Sequence, residues 1–156
     1  MKSASLQEIK SAISTLEPAR LKEVCVRLAK HKKENKELLS FLLFDNLDQD
    51  AFIRQVKEEM NLQFQAVNTS NLYLAKKSFR KILRITNKYI RFMANKETEA
   101  DLLIYYCMEL KNTGVRIQDS VVLTNLYNQQ KKKIQAAVEN LHEDLQFDFQ
   151  KGMKSL

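Results

Sequence analysis

The sequence predicts an all-α protein of about seven helices. Three observations carry that prediction. Apolar residues recur at three- and four-residue steps along nearly the whole chain. Glycine occurs twice and proline once in 156 residues, whereas an all-β chain needs Gly, Pro or Asn-Gly about every ten residues to turn its strands. Several of the periodic stretches also begin with a recognisable capping or restart signal. With 44% hydrophobic and 29% charged residues, the composition is that of a globular protein rather than a disordered one. A chain this long buries roughly 70% of its unfolded surface. A single domain over residues 1–156, needing no disulfide or metal, is therefore expected.

The first helix starts at Ser5, because Ser5 and Glu8 form an S-x-x-E capping box ahead of Leu6, Ile9, Ile13 and Leu16. Pro18 opens the second, at a position where its missing N–H costs nothing, and Leu21, Val24, Cys25 and Leu28 supply its buried stripe. "KHKKENK" breaks the pattern. The third helix, roughly 34–45, carries Leu38, Leu39, Phe41, Leu42, Leu43 and Phe44 and reads as the centre of an N-terminal core. Asn46 and Gln49 stand in capping relation before a fourth helix with Phe52, Val56, Met60 and Val67. A fifth runs from about 71 to 95. A sixth restarts near Thr98 through a T-x-x-D box with Asp101 and stops at Gly114, and the last spans about 119–149. Short connections make sequential helices antiparallel neighbours. The expected architecture is thus antiparallel hairpins, closed into a compact bundle or curved into a short HEAT-like α-α superhelix.

The fifth helix contains the one conspicuous pattern. "KKSFRKILRITNKYIRFMANK", residues 76–96, holds eight basic and no acidic residues, while the chain as a whole holds 26 basic and 19 acidic. The remainder is therefore 18 minus 19, or −1, and the entire excess charge of +7 lies in this segment. On a helical wheel Ala75, Phe79, Ile82, Leu83, Thr86, Ile90 and Met93 share one arc, flanked by Ile85, Tyr89 and Phe92. Lys77, Arg80, Lys81, Arg84, Lys88 and Arg91 fill the opposite face, with Tyr73 beside them. Like charges at this spacing repel by a few tenths of a kcal/mol per pair, so local helix energetics do not account for the stripe.

Two kinds of reading fit. In the first, the face is solvated or neutralised internally by the acidic cluster Glu139, Glu143, Asp144 and Asp148. In the second, it contacts a partner: an acidic protein, an anionic membrane surface, or a nucleic acid whose phosphates release counterions to Lys and Arg while Tyr73 stacks on a base.

The other constellations are mostly negative. Lys131, Lys132 and Lys133 are consecutive and point about 100° apart, so they do not form one patch. His31 and His142 lack a second ligand at i+3 or i+4, and "NLHEDL" lacks the second histidine of a zinc HExxH motif. Gly114 and Gly152 are isolated, which excludes a glycine-rich phosphate loop. Cys25 and Cys107 lie in apolar helical patterns and read as buried free thiols. Of Tyr105 and Tyr106, one belongs to the core and the other to its rim. No cofactor, metal or catalytic residue is assigned. The N-terminus does not resemble a secretory signal, and "LLSFLLF" at 38–44 is far shorter than the ~20 residues of a membrane span. The expectation is a soluble, cytoplasmic, non-enzymatic interaction module presenting the basic face. A phosphate-contacting nucleic-acid binder and an enzyme with a motif-free site are the alternatives.

Overall fold

Every regular element of the described residues, 2–156, is helical in the computed structural model of the chain. The elements are α1 (Leu6–Ser14), α2 (Pro18–His31), α3 (Lys33–Ser40), α4 (Gln49–Gln65), α5 (Leu72–Met93), α6 (Lys96–Asn112), α7 (Val121–Glu139) and α8 (Glu143–Lys154). A π-helical turn, Phe41–Asp45, extends α3, and a 3-10 turn, Ile117–Asp119, precedes α7. None of these helices is long and apolar enough to cross a membrane.

The count is eight rather than seven, because the expected final helix is broken at Asn140–His142. No glycine or proline makes that break. Side chains occupy the backbone groups it frees: Asn140 Nδ2 donates to the Ala136 carbonyl at 2.7 Å and Gln146 Nε2 to the Leu141 carbonyl at 2.8 Å. The His142 ring then caps α8, accepting from the Asp144 N–H.

Two other helix starts also differ from expectation. Asn95, not Thr98, caps α6, accepting from Glu97 N and Thr98 N at 2.8 and 3.2 Å. That leaves Thr98 buried in the first turn and frees Asp101 to pair with Lys57 at 2.7 Å. In α4 the cap is Asp48, which accepts from Ala51 N, while Asn46 only takes a side-chain bond from Gln49. The Ser5–Glu8 box and Pro18 at the start of α2 form as read. Gly114, one residue past the Thr113 cap of α6, takes φ +75°, the left-handed conformation that favours glycine.

The chain divides into two compact units, with the boundary between Asp45 and Asn46. In the second unit the contacts set the helix directions. Along α4 and α5, Phe64 meets Phe79 while Phe52 meets Tyr89, so residue numbers fall on one helix as they rise on the other. The same reversal relates α5 to α6 and α7 to α8: Tyr106 reaches Phe79 far from the α5–α6 turn, and Tyr127 reaches Leu156 far from the α7–α8 turn. Alternate helices run parallel, shown by Lys57–Asp101 and Phe64–Tyr106 for α4 and α6, and by Ile104–Gly152 and Lys111–Ser155 for α6 and α8. These are stacked antiparallel hairpins.

Helix α6 is their centre, packing on α4, α5, α7 and α8. Thr98, Ala100, Leu102, Leu103, Ile104, Tyr106, Cys107 and Leu110 are all buried along it, which is why its apolar residues occur around most of its circumference. Val56, Met60, Phe64, Phe79, Ile82, Leu123 and Ile134 complete the core from neighbouring helices.

In the first unit α2 and α3 pack together, and Asn35 Nδ2 donates to the Leu28 carbonyl at 2.9 Å across their turn. Cys25, Leu28, Ala29, Leu38, Leu39 and Leu42 line an apolar groove of about 250 Å³. Phe41 is buried and Leu38 and Leu39 are half-buried, but Leu42, Leu43 and Phe44 are exposed. The N-terminal core expected to centre on this stretch is therefore only partly closed. Three short helices have too little surface to enclose a fourth side.

Candidate binding surface on α5

Asn71 starts α5 by accepting from the Leu74 N–H at 3.1 Å. Ala94 ends it in the left-handed conformation, at φ 49°, with its N–H donating to the Ile90 carbonyl. Between these caps the helix rotates its largely apolar arc inward. Ala75, Phe79, Ile82, Thr86, Phe92 and Met93 are buried, and the Thr86 hydroxyl donates to the Ile82 carbonyl at 3.0 Å. The same rotation turns the basic residues to solvent.

The basic face is not uniform along its length. Lys77, Arg80, Lys81 and Arg84 are exposed, and among the described residues no carboxylate stands within ion-pair distance of them. Lys88 is half-buried, its Nζ 4.7 Å from the Tyr89 ring centre and 5.9 Å from that of Phe92. Arg91 is exposed but engaged. The open part of the row is thus its N-terminal half.

Tyr73, Lys76, Lys77, Arg80, Lys81 and Arg84 line a groove of about 560 Å³. Among the described residues the lining comes from α5 alone, so the groove is space between long side chains on one helix. A small ligand gains most of its burial from enclosure; an extended anion lying along the helix needs none. Lys76 belongs to this groove although the wheel places it at the margin, about 60° from Tyr73. Its long stem covers that angle.

The acidic cluster does not neutralise the row through ion pairs. Glu139, Glu143, Asp144 and Asp148 are all exposed. Glu139 accepts from Gln135 at 2.7 Å, and Asp144 lies 3.4 Å from His142 Nδ1. By charge, α5 carries seven basic and no acidic residues, while the rest of the second unit carries ten basic and thirteen acidic, a net of −3. Within the second unit the net positive charge therefore lies on this helix.

The remaining candidates fall into place as structure. Tyr106 is the core tyrosine, donating its hydroxyl to the Phe79 carbonyl at 2.9 Å, and half-buried Tyr105 lies under Lys57 Nζ. Burial pushes the Cys107 thiol up to about 12 and raises the Tyr106 hydroxyl still further, which keeps both protonated and unreactive near neutral pH. Cys25 is half-buried rather than buried. His31 and His142 are exposed, and among the described residues no three His, Cys, Asp or Glu side chains are grouped to hold a metal ion. Lys131, Lys132 and Lys133 are exposed on α7, with Lys131 lying 5.9 Å from the Tyr127 ring centre. Comparison of the chain with protein-family models, curated proteins and solved structures returns no match.

Proposed function

We propose that this chain is a non-enzymatic helical interaction module whose contact surface is the basic face of α5. One observation supports the reading above the others: Lys77, Arg80, Lys81 and Arg84 are exposed in consecutive turns, without a carboxylate partner among the described residues. Such a row is self-repelling in isolation. A polyanion relieves the repulsion, and Arg adds bidentate geometry toward carboxylate or phosphate. Acidic protein segments and nucleic acids share that chemistry. The two free thiols, Cys25 and Cys107, favour a reducing compartment, so we assign the module to the cytoplasm.

The test is titration of the full chain with a sulfated polysaccharide, polyglutamate and an oligonucleotide across a salt series. Saturable binding that weakens with salt is expected. It should be lost when Lys77, Arg80, Lys81 and Arg84 are together replaced by Glu with the helical circular dichroism unchanged. Absence of binding to any of the three at low salt would overturn the proposal.

A further inference from the structure

From the surroundings of Tyr73 we infer that the α5 surface takes single-stranded nucleic acid, its cations neutralising the phosphates and Tyr73 stacking on an unpaired base. The inference rests on the proposed reading of α5 as a polyanion-binding face and narrows its partner to one chemical class.

The chain has five tyrosines, and four of them are built into the fold. Tyr106 and Tyr127 are buried, with hydroxyls donating to the Phe79 and Leu156 carbonyls. Tyr89 is half-buried and donates to Glu59 at 2.7 Å, and Tyr105 is half-buried under Lys57. Tyr73 is 71% exposed, and its hydroxyl has no hydrogen-bond partner among the described residues. Leu72 and Leu74 beside it are also exposed. A large ring kept in water contributes nothing to the core. Its place is at the open end of the cationic row: it lines the same groove as Lys76, Lys77, Arg80, Lys81 and Arg84. On the wheel it lies within about 20° of Arg84.

An aromatic face next to a track of cations is what unpaired bases and their backbone require together. Stacking accepts any base, and the cations follow the phosphates. A duplex keeps its bases stacked inside and leaves the ring idle. An acidic peptide uses the cations and likewise has no use for the ring face. The exposed positions between Lys77 and Arg84 are all Lys or Arg, with no Asn or Gln to read an adenine edge, so sequence preference should be slight.

The experiment measures fluorescence anisotropy of the full chain with labelled oligothymidylate, an abasic deoxyribose-phosphate oligomer and a duplex of the same length, with polyglutamate as competitor. Oligothymidylate should bind about tenfold or more tighter than the abasic oligomer. Its log–log salt slope should be about −0.7 per phosphate contacted. Tyr73→Ala should remove the preference over the abasic oligomer without changing abasic binding, and Tyr73→Phe should keep it. Equal loss on both oligomers in Tyr73→Ala, duplex binding as tight as single-strand binding, or stronger competition by polyglutamate than by oligothymidylate would each overturn this inference while leaving the polyanion reading standing. Failure of every polyanion to bind at low salt would overturn both.

Discussion

Helices α5 and α6 are joined by two residues and pack on each other, yet they solve opposite problems. In α6 apolar side chains occupy most of the circumference because four helices lie against it. From Ala75 onward in α5 they are confined to one side, and the exposed stretch of the other side from Lys77 to Arg84 carries a single sign of charge. The contrast separates two meanings of a charged face. Solubility alone is satisfied by mixed charges, as on α4, where exposed Arg54 stands between exposed Asp50 and Glu58 in sequence. A face of one sign carries self-repulsion that solubility does not require.

The largest expected difference between the two helices is in stability. Leu103→Ala in α6 should cost about 2–5 kcal/mol by urea denaturation, while Arg84→Ala on α5 should stay within about 0.5 kcal/mol. Similar losses would break the contrast and make Arg84 a structural residue.

Alkaline pH tests α6 again. Burial pushes the Cys107 thiol up to about 12 in the folded protein, whereas the unfolded thiol releases its proton near its ordinary value of 9.0. The unfolded state therefore binds fewer protons between those values, and stability falls as pH rises through that window. The slope from this one group is at most about 1.4 kcal/mol per pH unit. Cys107→Ala should flatten it. At neutral pH a thiol reagent followed by mass spectrometry should label Cys25 and spare Cys107 until denaturant is added.

Smaller effects probe the junction between the helices. Tyr106→Phe removes the bond to the Phe79 carbonyl and should lower stability by about 1 kcal/mol. Ala94→Gly should raise it by about 0.5–1 kcal/mol, because Ala94 holds a left-handed conformation that a side chain resists. Both are read from thermal or denaturant midpoints, with the sign deciding the second.

Where polar and apolar residues separate cleanly, as along α5, the sequence discloses both the helix and the side it buries. It discloses less where a neighbour must be known. The α7–α8 break depends on Asn140, His142 and Gln146 bonding to nearby backbone, and those residue types also occur inside helices. The Thr98–Asp101 box loses to Asn95 because burial of Thr98 and the Lys57–Asp101 pair reward an earlier start. Lys88 stands on the same wheel sector as Lys77, but it is half-buried, with its Nζ against the Tyr89 and Phe92 rings of its own helix. Spacing gives the angle at which a side chain leaves the helix and not what it meets there.

Ala94 and Asn95 have a consequence beyond ending one helix and starting the next. A turn of two residues leaves α5 no freedom to spin about its own axis relative to α6. One residue inserted between Phe79 and Arg84 would turn Tyr73, Lys77 and Phe79 by about 100° against the part anchored at Ala94. With a neutral insert the net charge would be unchanged, but Tyr73 and Lys77 would no longer share an edge with Arg84. What this face holds is therefore an alignment, stored in the number of residues between two fixed points.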